Sequence, residues 1–145
     1  MAISQTQTTV FKQNLLSGLE NFAAGTPYTY NIALYTSLAT INNSTLTYIT
    51  ANEVSGGGYT AGGKALTISQ VPTSDFTNNI AFISFANVTW NPASFTAAGA
   101  LIYNATTGAA VAVLDFGGTK TSNAAGTFTI TFPTATSNTA ILSIG

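Results

Sequence analysis

Cysteine, histidine and arginine are absent from this 145-residue chain, and its only charged side chains are three lysines and four acids. Each absence removes a kind of chemistry. Without cysteine there is no disulfide, thiol nucleophile or thiolate metal site. Without histidine the commonest zinc ligand and the acid–base group that titrates near neutrality are missing. Without arginine no planar fork can clamp a phosphate or carboxylate through two bonds. Charged residues make up 5% of the chain, against about 25% in an average soluble domain. Lys12, Lys64 and Lys120 cannot assemble the basic stripe that phosphate neutralisation demands, so nucleic acid is not expected as a partner.

Apolar residues account for 46% of the chain, yet the longest uninterrupted apolar stretch, Ala109 to Leu114, falls far short of the roughly 20 residues that span a bilayer. No membrane partner is expected. The opening residues, Met1 to Thr9, are polar and lack both a basic and an apolar signal region, which leads us to expect synthesis and folding in a cytoplasm. A surface built from Thr, Ser, Asn and Gly carries little self-repulsion and permits dense side-by-side packing. Such a surface suits assembly.

The length implies a single domain, 1–145, in which residues 1–25 form an N-terminal arm and helix and residues 26–145 a β-sandwich body. Phe11, Leu15, Leu19 and Phe22 recur at helical spacing, with Thr8 or Thr9 as N-cap and Gly25 placed to stop the helix; the spacing predicts a helix from about Val10 to Ala23. That apolar stripe either closes one end of the core or docks on a neighbouring subunit. Beyond Pro27 the pattern changes to alternating or short apolar runs rich in aromatic and β-branched residues. Strands are predicted at Tyr28 to Leu34, Thr45 to Thr50, Lys64 to Gln70, Ile80 to Trp90, Ser94 to Tyr103, Ala109 to Phe116, Phe128 to Phe132 and Ala140 to Ile144. Asn104 to Gly108 is the clearest hairpin loop. The expected fold is all-β, an antiparallel sandwich of seven or eight strands with one N-terminal α-helix. Few lysines or glutamates remain to guard its edge strands, so homo-oligomerisation is expected, with a trimer favoured.

The candidate catalytic groups are the carboxylates Glu20, Glu53, Asp75 and Asp115, three lysines and many hydroxyls. A glycosidase needs two facing carboxylates, and nothing in the spacing of these four suggests convergence. Glu53 lies beside Gly56-Gly57-Gly58 and reads as a solvated turn residue. The segment Gly56 to Lys64 lacks the Gly-Lys-Ser/Thr ending of a phosphate loop, and no calcium loop is present. No catalytic residue, metal or cofactor is therefore expected. Trp90 reads as a core cap, and Tyr59, set between glycines and Thr60, as the best candidate for an exposed aromatic that could anchor an interface or stack on a sugar.

Four segments, taken in order, resemble a family of small tailed-bacteriophage structural proteins: Asn31-Ile32-Ala33-Leu34-Tyr35-Thr36; Asn52-Glu53-Val54-Ser55-Gly56 running into Gly58 to Lys64; Gly99 to Asn104; and Ala110 to Gly117. The resemblance implies a capsid decoration (cement) protein that binds the major capsid protein at capsomer junctions as a symmetric oligomer, and hence a place on the capsid surface of a virion. It brings no catalytic residues. A neck, tail or fibre component and a carbohydrate-binding domain are the alternatives. The expected interface residues are Phe11, Leu15, Leu19, Phe22 and Tyr59, with the segment Met1 to Phe22 helping to attach the protein.

Overall fold

A computed structural model describes residues 2–145. After a short strand β1 (Thr6–Gln7), helix α1 (Thr9–Leu16) starts where the sequence predicts, with Thr8 as N-cap accepting a hydrogen bond from the Phe11 amide at 3.2 Å. It ends well before Ala23. Gly18, at φ +72°, takes the left-handed conformation that terminates a helix. The Leu19 amide then donates to the Asn14 carbonyl at 2.8 Å and the Gly18 amide to the Leu15 carbonyl at 3.2 Å, the two bonds of a Schellman cap. The stop assigned to Gly25 thus belongs to Gly18. Leu19 leaves the apolar stripe, whereas Phe22 reaches the core from beyond the helix and stacks on Tyr30 with centroids 4.4 Å apart.

The body contains β2 (Tyr30–Tyr35), β3 (Lys64–Ala65), β4 (Ile68–Asp75), β5 (Ile80–Phe85), β6 (Val88–Ala93), β7 (Thr96–Asn104), β8 (Ala110–Thr121), β9 (Gly126–Ile130) and β10 (Leu142–Ile144). A five-stranded sheet has the order β1-β8-β7-β2-β3, a three-stranded sheet β10-β5-β4, and β6 pairs with β9. Every ladder is antiparallel, and the fold is the expected all-β, sandwich-like one with an N-terminal helix. Three strand assignments change. The run from Lys64 to Gln70 divides between β3 and β4 in different sheets, parted at Leu66 and Thr67. Residues 45–50 contribute only one bridge, Thr47 to Ala109, because they lie in a covering loop. The run from Ile80 to Trp90 is two strands in different sheets, parted at Ala86 and Asn87.

The hairpin at Asn104 to Gly108 is present, and Asn104 builds it: its side-chain oxygen accepts from the Thr106 and Thr107 amides at 3.0 and 3.2 Å. The hairpin is longer than the sequence suggests. Pairing runs from Tyr103–Ala110 through Thr96–Thr121 and resumes at Ala93–Gly126 as far as Val88–Ile130. Thus β6–β7 and β8–β9 are the two arms of one ribbon, folded over where the Ser122 amide reaches the Phe95 carbonyl at 2.9 Å and its hydroxyl the Ala93 carbonyl at 3.0 Å.

The central strands are buried on both faces. Ile32, Leu34, Ala100, Ile102 and Leu114 face the main core with Phe85, Trp90 and Phe128, while Ala33, Tyr35, Leu101, Tyr103 and Val113 face a second cluster under the loop that carries Ala39 and Ile41. This accounts for their near-continuous apolar sequence. The N-terminal stretch is no detached arm: β1 pairs with β8, Ile3 bridges Ile41, and Phe11 and Phe22 sit in the main core.

A Cβ added at Gly63, which has φ +75°, would overlap the Ile32 carbonyl oxygen, whereas one at Gly18 would meet nothing within 4 Å. Gly18→Ala is expected to cost about 1–2 kcal/mol for the left-handed backbone alone. Gly63→Ala should cost clearly more, because β2 and β3 must separate. Thermal unfolding of the two variants compares them directly, and equal losses would refute the close approach.

Candidate functional site

The densest polar cluster centres on Glu53. One carboxylate oxygen accepts from the Tyr59 hydroxyl at 2.6 Å and the Gly62 amide at 2.7 Å, and the other from the Tyr48 hydroxyl at 2.6 Å. The Tyr59 oxygen also accepts from the Leu34 amide at 2.9 Å, and the Tyr103 hydroxyl donates to the Gly62 carbonyl at 2.7 Å. Glu53 is therefore no solvated turn residue. It ties the loop of residues 36–63 to the face of β2 and β7. Burial raises the Tyr59 and Tyr35 phenols well above the ordinary tyrosine value; for Tyr59 the hydrogen bond to Glu53 adds to this, and for Tyr35 the nearby Glu53 charge. Both shifts favour the neutral phenol.

Tyr59, expected to be exposed, is 7% exposed, because the glycines around it fold the loop onto the sheet. Its ring stacks on Trp90 at 6.1 Å and meets Phe95 edge-on at 5.7 Å. Trp90 is a core residue, with the Lys64 ammonium 5.6 Å from its ring centre and bonded to the Thr89 carbonyl at 2.5 Å. Neither ring offers a face to a sugar.

The other acids are dispersed. Glu20 is buried, and one of its oxygens accepts from the Tyr30 hydroxyl at 2.7 Å and the Asn104 side-chain amide at 3.1 Å; the second has no hydrogen-bond partner. Asp75 caps the turn between β4 and β5 through the Thr77 and Asn78 amides, and Asp115 is exposed on β8. Among the described residues no group of three or more acids converges in a way that could hold a metal ion. None of their helices is long and apolar enough to cross a membrane.

Of the residues expected at an interface, Phe11, Phe22 and Tyr59 lie in the chain's own core and Leu15 packs against it, leaving Leu19 about half exposed. The sequence missed Leu16, which is 92% exposed at the end of α1 beside Ile144. Leu16 falls off the helical stripe, so periodicity gives no sign of it. An attachment segment running from Met1 to Phe22 is not separable from the body: Met1 lies outside the described residues, and the remainder contributes a strand and two core aromatics. A second open region is a cleft of about 530 Å³ along one side of the sandwich, between Leu114 and Phe116 of β8 and the consecutive residues 127–133 in and after β9.

Compared with known proteins, the chain matches no family model, no curated protein and no solved structure.

Phenols held neutral by burial stabilise the fold fully below their unfolded value of about 10, and this contribution is lost as pH rises toward their higher folded values. In an alkaline titration, the tyrosinate absorbance of Tyr35 and Tyr59 should therefore appear together with the loss of tertiary circular dichroism. Independent ionisation of both rings near pH 10 in an intact fold would contradict the network. Tyr59→Phe strands the Leu34 amide and should lower stability by about 1–3 kcal/mol in denaturant unfolding.

Proposed function

We propose that this chain is a structural virion protein of a tailed bacteriophage, bound outside the capsid at capsomer junctions, where it contacts the major capsid protein as a homo-oligomer and stabilises the shell. The observation that carries this reading is a surface almost free of charge that still exposes large apolar side chains, Leu16 at 92% and Leu19 at 52% on one helix end. Such a surface gains from contact with a protein wall and loses little to charge desolvation. No reacting group is assigned in this reading.

The segments that resemble phage structural proteins support it in a specific way. They form β2, β7, β8 and the Glu53 loop, and most of their apolar side chains are buried. The resemblance therefore concerns the scaffold. Leu16 and Leu19 are our candidates for the shell contact, in place of the buried Phe11, Phe22 and Tyr59. A neck, tail or fibre location would use the same surface chemistry at much lower copy number.

Quantitative peptide mass spectrometry on purified particles tests the assignment. A ratio to the major shell protein near one, or a simple large fraction of it, is expected. A few dozen copies per particle would indicate the neck or tail, and absence from particles would refute a virion role. Leu16→Asp should reduce shell occupancy at least tenfold without altering thermal stability, since Leu16 contributes little to the core. Binding should change little between low and moderate salt, because few charges are present to be screened.

A further inference from the structure

We propose that the open side of the sandwich is a pairing surface for a second copy of this chain, with β9 docking antiparallel against β9 of the second copy about a two-fold axis at Thr129. This inference goes beyond the capsid reading and does not depend on it.

Strand β9 has one strand neighbour, β6, so its other edge carries no ladder. The direction of its main-chain groups follows from one bond: the Phe132 amide donates to the Asn87 side-chain oxygen at 2.9 Å, immediately before β6. Main-chain groups alternate between the two edges of a strand. Phe128, Ile130 and Phe132 therefore turn theirs toward β6, and Thr127, Thr129 and Thr131 turn theirs to the open edge. Residues 127–133 all line the cleft, odd and even alike, as they must if it runs along the strand's edge and not across one face. On the opposite wall, β8 is covered by β1 only at Ala112 and Val113, leaving it without a strand neighbour on that side from Leu114 onward.

An edge of this kind is normally guarded by lysine, proline or a covering loop. Strand β9 itself carries no charged residue and no proline, Pro133 lying beyond its end, and the two charges at the cleft, Asp115 and Lys120, sit on the opposite wall in β8. What selects a second copy as occupant is self-complementarity. An antiparallel pairing centred on Thr129 sets Thr129 opposite Thr129, Thr127 opposite Thr131 and Phe128 opposite Ile130. Threonine pairs and aromatic–β-branched pairs are among the favourable cross-strand combinations. The outer face already holds one such pair, the Thr89 and Thr129 hydroxyls at 3.0 Å, and the docked copy would extend it across the axis. The inner face would cover Phe116, which is only partly buried at the cleft.

A chain without cysteine gives a clean probe. In a hydrogen-bonded antiparallel pair the facing Cα atoms lie about 5.5 Å apart, within disulfide reach. Thr129→Cys in the full chain should form a covalent dimer in a glutathione redox buffer. Thr89→Cys, one strand further from the axis and roughly 14 Å from its counterpart, should not. As a second variant, Thr129→Pro removes an amide that points to the open edge and spares the β6 ladder. It should weaken dimerisation at least tenfold in sedimentation equilibrium, with the β circular dichroism retained. A wild-type chain that stays monomeric throughout the accessible concentration range, equal cross-linking of the two cysteine variants, or a self-association of any order that Thr129→Pro leaves untouched would each overturn the proposal.

Discussion

The fold depends on one carboxylate. Glu53 receives two phenolic hydroxyls and a backbone amide, all at 2.6 to 2.7 Å, from three points of the loop that joins β2 to β3. Through Tyr59 the same cluster reaches the Leu34 amide, on the edge of β2 away from β7. A loop that covers a sheet face must settle its own polar groups before it can exclude water. Glu53 does this for the covering loop, and the apolar side chains Ala39 and Ile41 can then bury the second face of β2 and β7. In a chain with three lysines and no arginine, hydroxyls and amides replace the cation that usually accompanies such an acid.

Scarcity of charge shapes the exterior as well. Loops and the N-terminal strand protect most of the five-stranded sheet, and Lys64, one of the few cations, is used within the chain, its ammonium bonded to the Thr89 carbonyl and lying over Trp90. What remains outside is mostly Thr, Ser and Asn, interrupted by single large apolar side chains such as Leu16 and Phe76 and by the open edge of β9. The two exposed features differ in kind. The helix end offers side chains suited to an apolar wall, while the strand edge offers main-chain groups suited only to another strand.

Much of the fold was legible in residues with a local physical signature. Thr8 and Phe11 marked the helix start, the alternation of Thr with Phe128, Ile130 and Phe132 marked β9, and Asn104 to Gly108 marked the hairpin. The helix end was not legible because two glycines, Gly18 and Gly25, could each adopt the left-handed conformation that closes it. The candidate site was less legible. Tyr59 looked exposed because it lies among glycines, and Glu53 looked solvated for the same reason. The sheet brings Leu34 and Trp90 to Tyr59 from distant parts of the chain, while Tyr48 meets Glu53 across five residues of an irregular loop that has no periodic pattern.

The sequence by itself determined the class of fold, the all-β body with its N-terminal helix, because binary pattern and turn chemistry act over a few residues. It also determined the poverty of charge, since composition does not depend on conformation. Only the tertiary structure decided that the long β6–β9 ribbon folds over itself, that both faces of the central sheet are covered, and that Phe11, Phe22 and Tyr59 belong to the core while Leu16 does not. Those outcomes rest on contacts between residues far apart in the chain, and a local pattern does not specify which apolar side chains will find a partner.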